Sequence, residues 1–198
     1  MRIILGDLLK LAKEGTFDVI VHGCNCFCTM GRGIALSMKN QFPEAAEVDK
    51  RTVRGDVRKL GTCTQAEVKR GVVSFTVVNA YTQYHWEGIG VLADYEAIRN
   101  CMLWIRKHHS GKRLGFPKIG AGLARGDWSR IQSIMDDILA GEDVTVVDFV
   151  PDWKTKTPHI QSDRVLVYGE LFTCLVDHTS DVFGNDYFDK RYWHRHGE

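Results

Sequence analysis

The stretch FDVIVHGCNCFCTMGRGIA, Phe17 to Ala35, decides the fold. Its first part, Phe17–Gly23, is dense in β-branched residues and apolar on both faces, the pattern of a strand buried in the middle of a parallel sheet. A glycine-bearing loop follows. Ile34, Leu36 and Met38 then recur at helical spacing, so a helix is expected over Ile34–Phe42, stopped by Pro43. Strand, loop and helix in that order make one unit of an α/β sheet, and the flanking sequence repeats it. Short apolar runs predict strands at Arg2–Leu5, Thr62–Glu67, Val72–Ala80, Arg113–Phe116 and Val144–Val150. Leu8–Gly15 reads as a helical turn. A stripe of Leu92, Tyr95, Ile98, Cys101, Met102 and Ile105 predicts a helix to His108, and Ile131, Ile134, Met135 and Ile138 predict another ending near Gly141. Strands that alternate with helices imply a three-layer α/β/α sandwich with a mixed, largely parallel central sheet. Residues 1–150 are read as that domain. Residues 151–198, with a final aromatic stretch DYFDKRYWHRHGE, are read as a C-terminal extension that packs on the domain or on a partner.

Composition excludes several classes. At 198 residues the chain buries a core without staples, and its 44% hydrophobic and 26% charged content is that of an ordinary globular protein. A formal charge of +1 supplies no global field for DNA or an anionic membrane, which argues against nucleic acid as a partner. No apolar run has the length of a membrane span, and MRIILGDLLKLAKEG does not read as a secretory signal, so a cytoplasmic location is expected. Cys24, Cys26 and Cys28 stand too close for a disulfide framework, and Cys63, Cys101 and Cys174 are scattered; free thiols fit a reducing compartment. Alternate cysteines point to opposite sides of an extended chain, and no C-x-x-C pair exists, so no metal site is expected.

In open α/β sheets, ligands bind beyond the carboxyl ends of the strands. Three loops qualify: Gly6-Asp7, HGCNCFCTMGRG (His22–Gly33) and PKIGAGLARGD (Pro117–Asp127). The last two carry glycines and lead into helices, where backbone N–H groups are ready donors to phosphate oxygens. Together they suit a diphosphate. Neither GxGxxG nor GxxxxGK[ST] is present, which argues against a dehydrogenase and a nucleotide triphosphatase.

In sequence order, LGDL (Leu5–Leu8), VIVHGCNC (Val19–Cys26), MGRGIA (Met30–Ala35), VVNAYTQ (Val77–Gln83), DYEAIR (Asp94–Arg99) and PKIGAGLARGDW (Pro117–Trp128) resemble the macrodomains, ADP-ribose-binding α/β/α modules. HGCNC followed by GRGIA and FPEA is similar to the branch that hydrolyses ADP-ribose 1''-phosphate, including the small yeast-type enzyme, and also to the branch that removes ADP-ribose from acidic side chains. Single-domain phage members look alike too. The resemblance implies that Asp7 and Leu8 meet the adenine end, and that Asn25 lies beside the distal ribose. It implies that Gly31, Gly33 and Ile34 form one diphosphate loop, and Gly120, Ala121, Gly122, Leu123 and Ala124 the other. No cofactor is implied. Three departures matter: Arg32 stands where many members have a glycine, and either points outward or meets a terminal phosphate; the lysine of the covalent-adduct glycohydrolases has Tyr81, Thr82 and Gln83 around its place; and their aspartate is Ala124 here.

The activity this implies is hydrolysis of ADP-ribose 1''-phosphate to ADP-ribose and phosphate. Candidates to position or activate water, or to protonate the leaving oxygen, are His22, His85 and Asp127, with Asn25 orienting the ribose. Each has a plainer reading: His22 hydrogen-bonded within the sheet, His85 an exposed loop residue, Asp127 the N-cap of the helix from Trp128. The rival functions are a non-catalytic reader of free or protein-linked ADP-ribose, and a hydrolase that removes ADP-ribose from proteins.

Overall fold

The computed structural model describes residues 1–151, 158–167, 170–175, 177–179 and 193–197. The strand expected from FDVIVHG runs as β2 (Val19–Asn25), beside β4 (Val73–Gln83) and β5 (Arg113–Phe116), parallel to both. β6 (Asp143–Phe149) lies parallel to β5, β1 (Arg2–Gly6) forms one edge next to β6, and β3 (Cys63–Arg70) forms the other, antiparallel to β4. The resulting order is β1-β6-β5-β2-β4-β3, a mixed and mostly parallel sheet.

The sheet is covered on both faces because its strands are apolar on both faces. Val19 and Val21 of β2 join Ile98, Cys101, Met102 and Ile105 of α4 (Tyr95–His109) and the Ile131, Ile134, Met135, Ile138 stripe of α5 (Trp128–Ile138). Ile20, between those valines, faces the other way. It packs with Leu8, Leu9 and Ala12 of α1 (Leu8–Lys13) and Met38 of α2 (Gly33–Gln41). Alternation along one strand thus builds the three layers.

β3 and β4 each run three residues beyond the expected ends at Glu67 and Ala80, and two helix boundaries differ for a local reason. Pro43 ends α2 but also begins a further helix, α3 (Pro43–Lys50). Phe42 before it leaves helical geometry at φ −132°, as residues preceding proline do, and the fixed φ of Pro43 suits a first helical turn. α4 starts at Tyr95 rather than Leu92: the Asp94 carboxylate caps it by accepting the Ala97 amide at 2.9 Å, while the Leu92 and Ala93 amides both donate to the Ala124 carbonyl.

By internal contacts the chain forms two compact units, Met1–Ile4 with Leu8–Asp148, and Leu5–Asp7 with Phe149–Glu198. In the second, β8 (Arg164–Val167), β9 (Glu170–Cys174) and β11 (Trp193–Arg195) form an antiparallel sheet around Val165, Val167, Phe172, Cys174 and Trp193. β7 (Pro158–His159) and β10 (His178–Thr179) form a separate pair. Most of DYFDKRYWHRHGE, residues 186–192, lies outside the described residues. Among the described residues no helix is long and apolar enough to cross a membrane.

Candidate functional site

Because β2, β4 and β5 are parallel, the loops that leave their carboxyl ends gather on one side of the sheet. They are stitched together there. The Cys26 amide donates to the Tyr84 carbonyl at 3.0 Å, the Asp94 amide to Thr82 at 2.9 Å, and Ala124 holds Leu92 and Ala93. The two glycine loops also meet. A Cβ on Gly33 would stand 3.1 Å from Leu123 Cδ1, so the closeness of Gly33 to the second loop depends on its bare Cα.

α2 opens at this junction. Arg32 precedes it in extended conformation and is exposed, and no side chain caps the helix. The first amides, from Gly33 to Ala35, are therefore donors that lack intrahelical acceptors, with the positive end of the helix dipole behind them. α5 differs: its N-terminus is occupied by Asp127, whose carboxylate accepts from Ser129 at 2.8 Å and Arg130 at 3.4 Å. That is the capping role which the sequence left open beside the chemical one.

The other candidates separate by depth. Asn25 folds its amide back on its own loop, accepting from Phe27 N at 2.9 Å and donating to the Thr29 carbonyl at 2.8 Å. It thereby fixes the turn that leads to Met30 and Gly31. His85 is half-buried, accepts the Glu87 amide at Nδ1 (3.0 Å), stacks on Trp86 at 4.0 Å and meets Phe27 edge-on at 4.8 Å. Gly31, Gly122 and Leu123 are exposed, whereas Ile34, Ala121 and Ala124 pack inward. The Leu8 side chain is part of the core. Asp7 stands in the β1–α1 turn, in the short stretch that groups with the second unit.

His22 is fully buried, its Nε2 2.7 Å from Asn79 Oδ1. Burial holds its pKa down, from 6.5 to about 4, so the ring is neutral near pH 7. An unfolded chain would protonate this histidine below pH 6.5 while the folded one would not until about 4. Folding stability is then expected to fall as pH drops through that window, by about 2 kcal/mol between pH 7 and 5. Urea midpoints at both values check this; a His22→Gln chain that keeps the full slope would assign it to other groups. Burial also pushes the Cys24 thiol well up and Cys26 to about 11, so neither supplies a thiolate at neutral pH.

Beneath the Asn25 loop lies a polar network that the sequence did not announce. Asn79 donates to the Ala45 carbonyl at 2.8 Å and to Thr64 at 3.1 Å; Thr64 meets the Tyr81 hydroxyl, which donates to Asp49 at 2.8 Å. Asp49 pairs with Lys59 at 3.3 Å, and both are buried, at 2% and 7% exposure. Lys59 also donates to Cys28 at 3.2 Å, and the Cys28 thiol to the Asp49 carbonyl at 3.3 Å. Cys28, with φ +57°, is thus clamped in a left-handed turn one residue before the Thr29 carbonyl that holds Asn25. The one sequence signal was Asn79, a polar residue inside the apolar VVNA.

Comparison with known proteins follows the same geometry. The family model described as Macro domain matches residues 21–135. An uncharacterised 17.5 kDa protein of Enterobacteria phage T4 is 36% identical over 156 residues, covering 76% of this chain and 97% of its own. A DNA ADP-ribosyl glycohydrolase of Mycobacterium bovis is 27% identical over 128 residues; the match covers 64% of this chain and only 35% of that protein. Among solved structures, Thermosipho africanus DarTG in complex with ADP-ribose superposes with a TM-score of 0.59 at 20% identity, over 76% of this chain and 42% of that one. At that identity the likeness is one of fold. With the family match spanning more than half of the sequence, and a relative aligned almost end to end, the chain belongs to the macrodomain family.

Proposed function

We propose that the chain binds ADP-ribose between its Gly31–Ile34 and Gly120–Ala124 loops and hydrolyses the phosphomonoester of ADP-ribose 1''-phosphate. The observation that carries this is the uncapped N-terminus of α2, set against Leu123 of the second loop: free amides and a dipole offered to a diphosphate. Asn25 holds the turn that presents those amides. The exposed Arg32 guanidinium, at the mouth of the helix, suits the additional phosphate as a bidentate donor. His85, whose Nδ1 meets the Glu87 backbone, is the candidate to position the water that attacks phosphorus. His22 acts at one remove, through Asn79 and the strand ends.

The phosphomonoester is preferred over a lysine-adduct glycohydrolysis because Gln83 stands near the lysine's place, its amide donating to the His85 carbonyl at 2.8 Å, and Ala124 stands at the aspartate's. A second reading, release of ADP-ribose from a macromolecule, draws support from the mycobacterial relative's name. Chromatographic turnover of ADP-ribose 1''-phosphate separates them. Phosphate release that is catalytic in the native chain and at least tenfold slower in Asn25→Ala is expected. Stoichiometric binding with no product would sink the phosphatase.

A further inference from the structure

The Cys28 thiol and the Lys59 amine meet beneath the Asn25 loop, and the ADP-ribose reading uses neither as a chemical group. Lys59 Nζ lies 3.2 Å from Cys28 Sγ and 3.3 Å from Asp49 Oδ1. The sulfur is held from two further sides, by the Asp49 carbonyl at 3.3 Å and the Thr52 hydroxyl at 3.4 Å. Thiol and amine are therefore fixed in contact before any reaction. The backbone gives no reason for a cysteine here: φ is +57°, a conformation that suits glycine, asparagine or aspartate. Exposure separates Cys28 from its neighbours as well. It is half-buried, whereas Cys24 and Cys26 are buried with their thiols pushed up, so a small oxidant in solvent reaches Cys28 first. Cys24 faces the His22 ring and Cys26 the Gln83 carbonyl, which leaves the Lys59 amine as the nucleophile in contact with Cys28.

We propose that Cys28 and Lys59 form an oxidative modification site, closed by hydrogen peroxide into a covalent sulfur–oxygen–nitrogen bridge that shifts the Asn25 loop. The first peroxide takes the thiol to a sulfenic acid and is reduced to water. The Lys59 ammonium sheds its proton to Asp49, and a second peroxide oxidises the amine to a hydroxylamine, again releasing water. The hydroxylamine oxygen then attacks the sulfenic sulfur and expels a third water. In sum, thiol, amine and two peroxides become the bridge and three waters. Sulfur and nitrogen are each oxidised by two electrons, and the two O–O bonds are reduced. Closing the bridge draws Cys28 and Lys59 together from 3.2 Å and removes the lysine charge. Cys28 adjoins Thr29, whose carbonyl anchors the Asn25 amide, so the loop moves with it and ADP-ribose is held less tightly. That last step rests on the function proposed above; the bridge does not, so the two can fail separately.

The test treats the full chain with hydrogen peroxide and reads its intact mass, its tryptic peptides and its calorimetry with ADP-ribose. The bridge is expected to add about 14 Da, one oxygen gained and two hydrogens lost, and to join peptides 14–32 and 59–69. Dithiothreitol should return the native mass. Cys28→Ser and Lys59→Arg should each abolish the joined pair; the serine variant, a change of one atom, keeps the test valid if the buried lysine does not tolerate replacement. The bridged chain is expected to bind ADP-ribose at least fivefold more weakly, with recovery on reduction, and Cys28→Ser to bind alike with and without peroxide. Cys28 carried only to a sulfinic or sulfonic acid, with the peptides separate, overturns the proposal. So does a pair joined by loss of two hydrogens with no oxygen gained, as in a disulfide to Cys63 of the second peptide. A bridge that leaves ADP-ribose affinity unchanged overturns its control of the loop. A bridge in a chain that binds no ADP-ribose even when reduced upholds the modification site and rejects the ADP-ribose site.

Discussion

Asp49→Ala is expected to cost the fold about 3–5 kcal/mol, the range for removing one partner of a buried ion pair. Lys59 would keep its charge at a position that is 7% exposed, with the Cys28 sulfur and the face of the Tyr81 ring 4.3 Å away as its remaining contacts among the described residues. The Tyr81 hydroxyl, which donates to Asp49 at 2.8 Å, would lose that acceptor and be left with Thr64 at 3.2 Å. For a chain of 198 residues this corresponds to a fall in Tm of roughly 10 °C. The companion variant decides what the cost means. Asp49→Ala/Lys59→Met removes both charges and fills the lysine stem's volume, so it should recover most of the loss. Urea denaturation of the three chains reads this directly. A single-variant cost below about 1 kcal/mol would mean that Lys59 swings out to solvent, and that the pair does not clamp the Cys28 turn.

Why this network escaped sequence reading is physical. Asp49 and Lys59 lie in EVDKRTVRGDVRK, which has the texture of a solvated charged segment, and most of it is exposed. Only tertiary packing of α3 and the following turn against β4 selects those two charges for burial. The layers, in contrast, were legible because strand hydrophobicity on both faces and helical stripes are local signals; Val19–Val21 and Ile98–Ile105 fall where their periodicity put them. Pro43 was half legible. Its power to end a helix is local, but whether it then starts one depends on Ala45 and Ala46 finding a core to enter. The site was legible as loops and not as contacts. Gly31–Ile34 and Gly120–Ala124 stood out by glycine and position, yet their meeting through Gly33 and Leu123 follows from the parallel order of β2 and β5. For His22, the sequence could give its place at a strand end but not the neighbour that binds it, since Asn79 is aligned opposite only once β2 pairs with β4.

Gly33→Val is expected to weaken ADP-ribose binding at least 100-fold while the chain still folds. Two effects act together at this position. Its φ is +56°, a conformation that a β-branched residue resists, and its Cβ would lie 3.1 Å from Leu123 Cδ1. Relief of the φ strain moves the first turn of α2, and the contact displaces the exposed Leu123 side chain beside it. Losing two charge-assisted hydrogen bonds from α2 amides to a diphosphate costs about 3 kcal/mol or more, which is the 100-fold. Backbone strain alone would not do this, and Gly71→Ala isolates it. Gly71 has φ +62°, lies in the β3–β4 turn, and a Cβ there meets nothing within 4 Å. That variant should lose about 1 kcal/mol of stability and no affinity. Calorimetry on both chains, with circular dichroism to verify folding, sets strain against geometry. A folded Gly33→Val chain that binds ADP-ribose within threefold of the native one would remove the α2 N-terminus from the ligand site, and the phosphatase proposal with it. The expected loss, at Gly33 and not at Gly71, would mean that the diphosphate is held by backbone amides whose approach only a bare Cα permits.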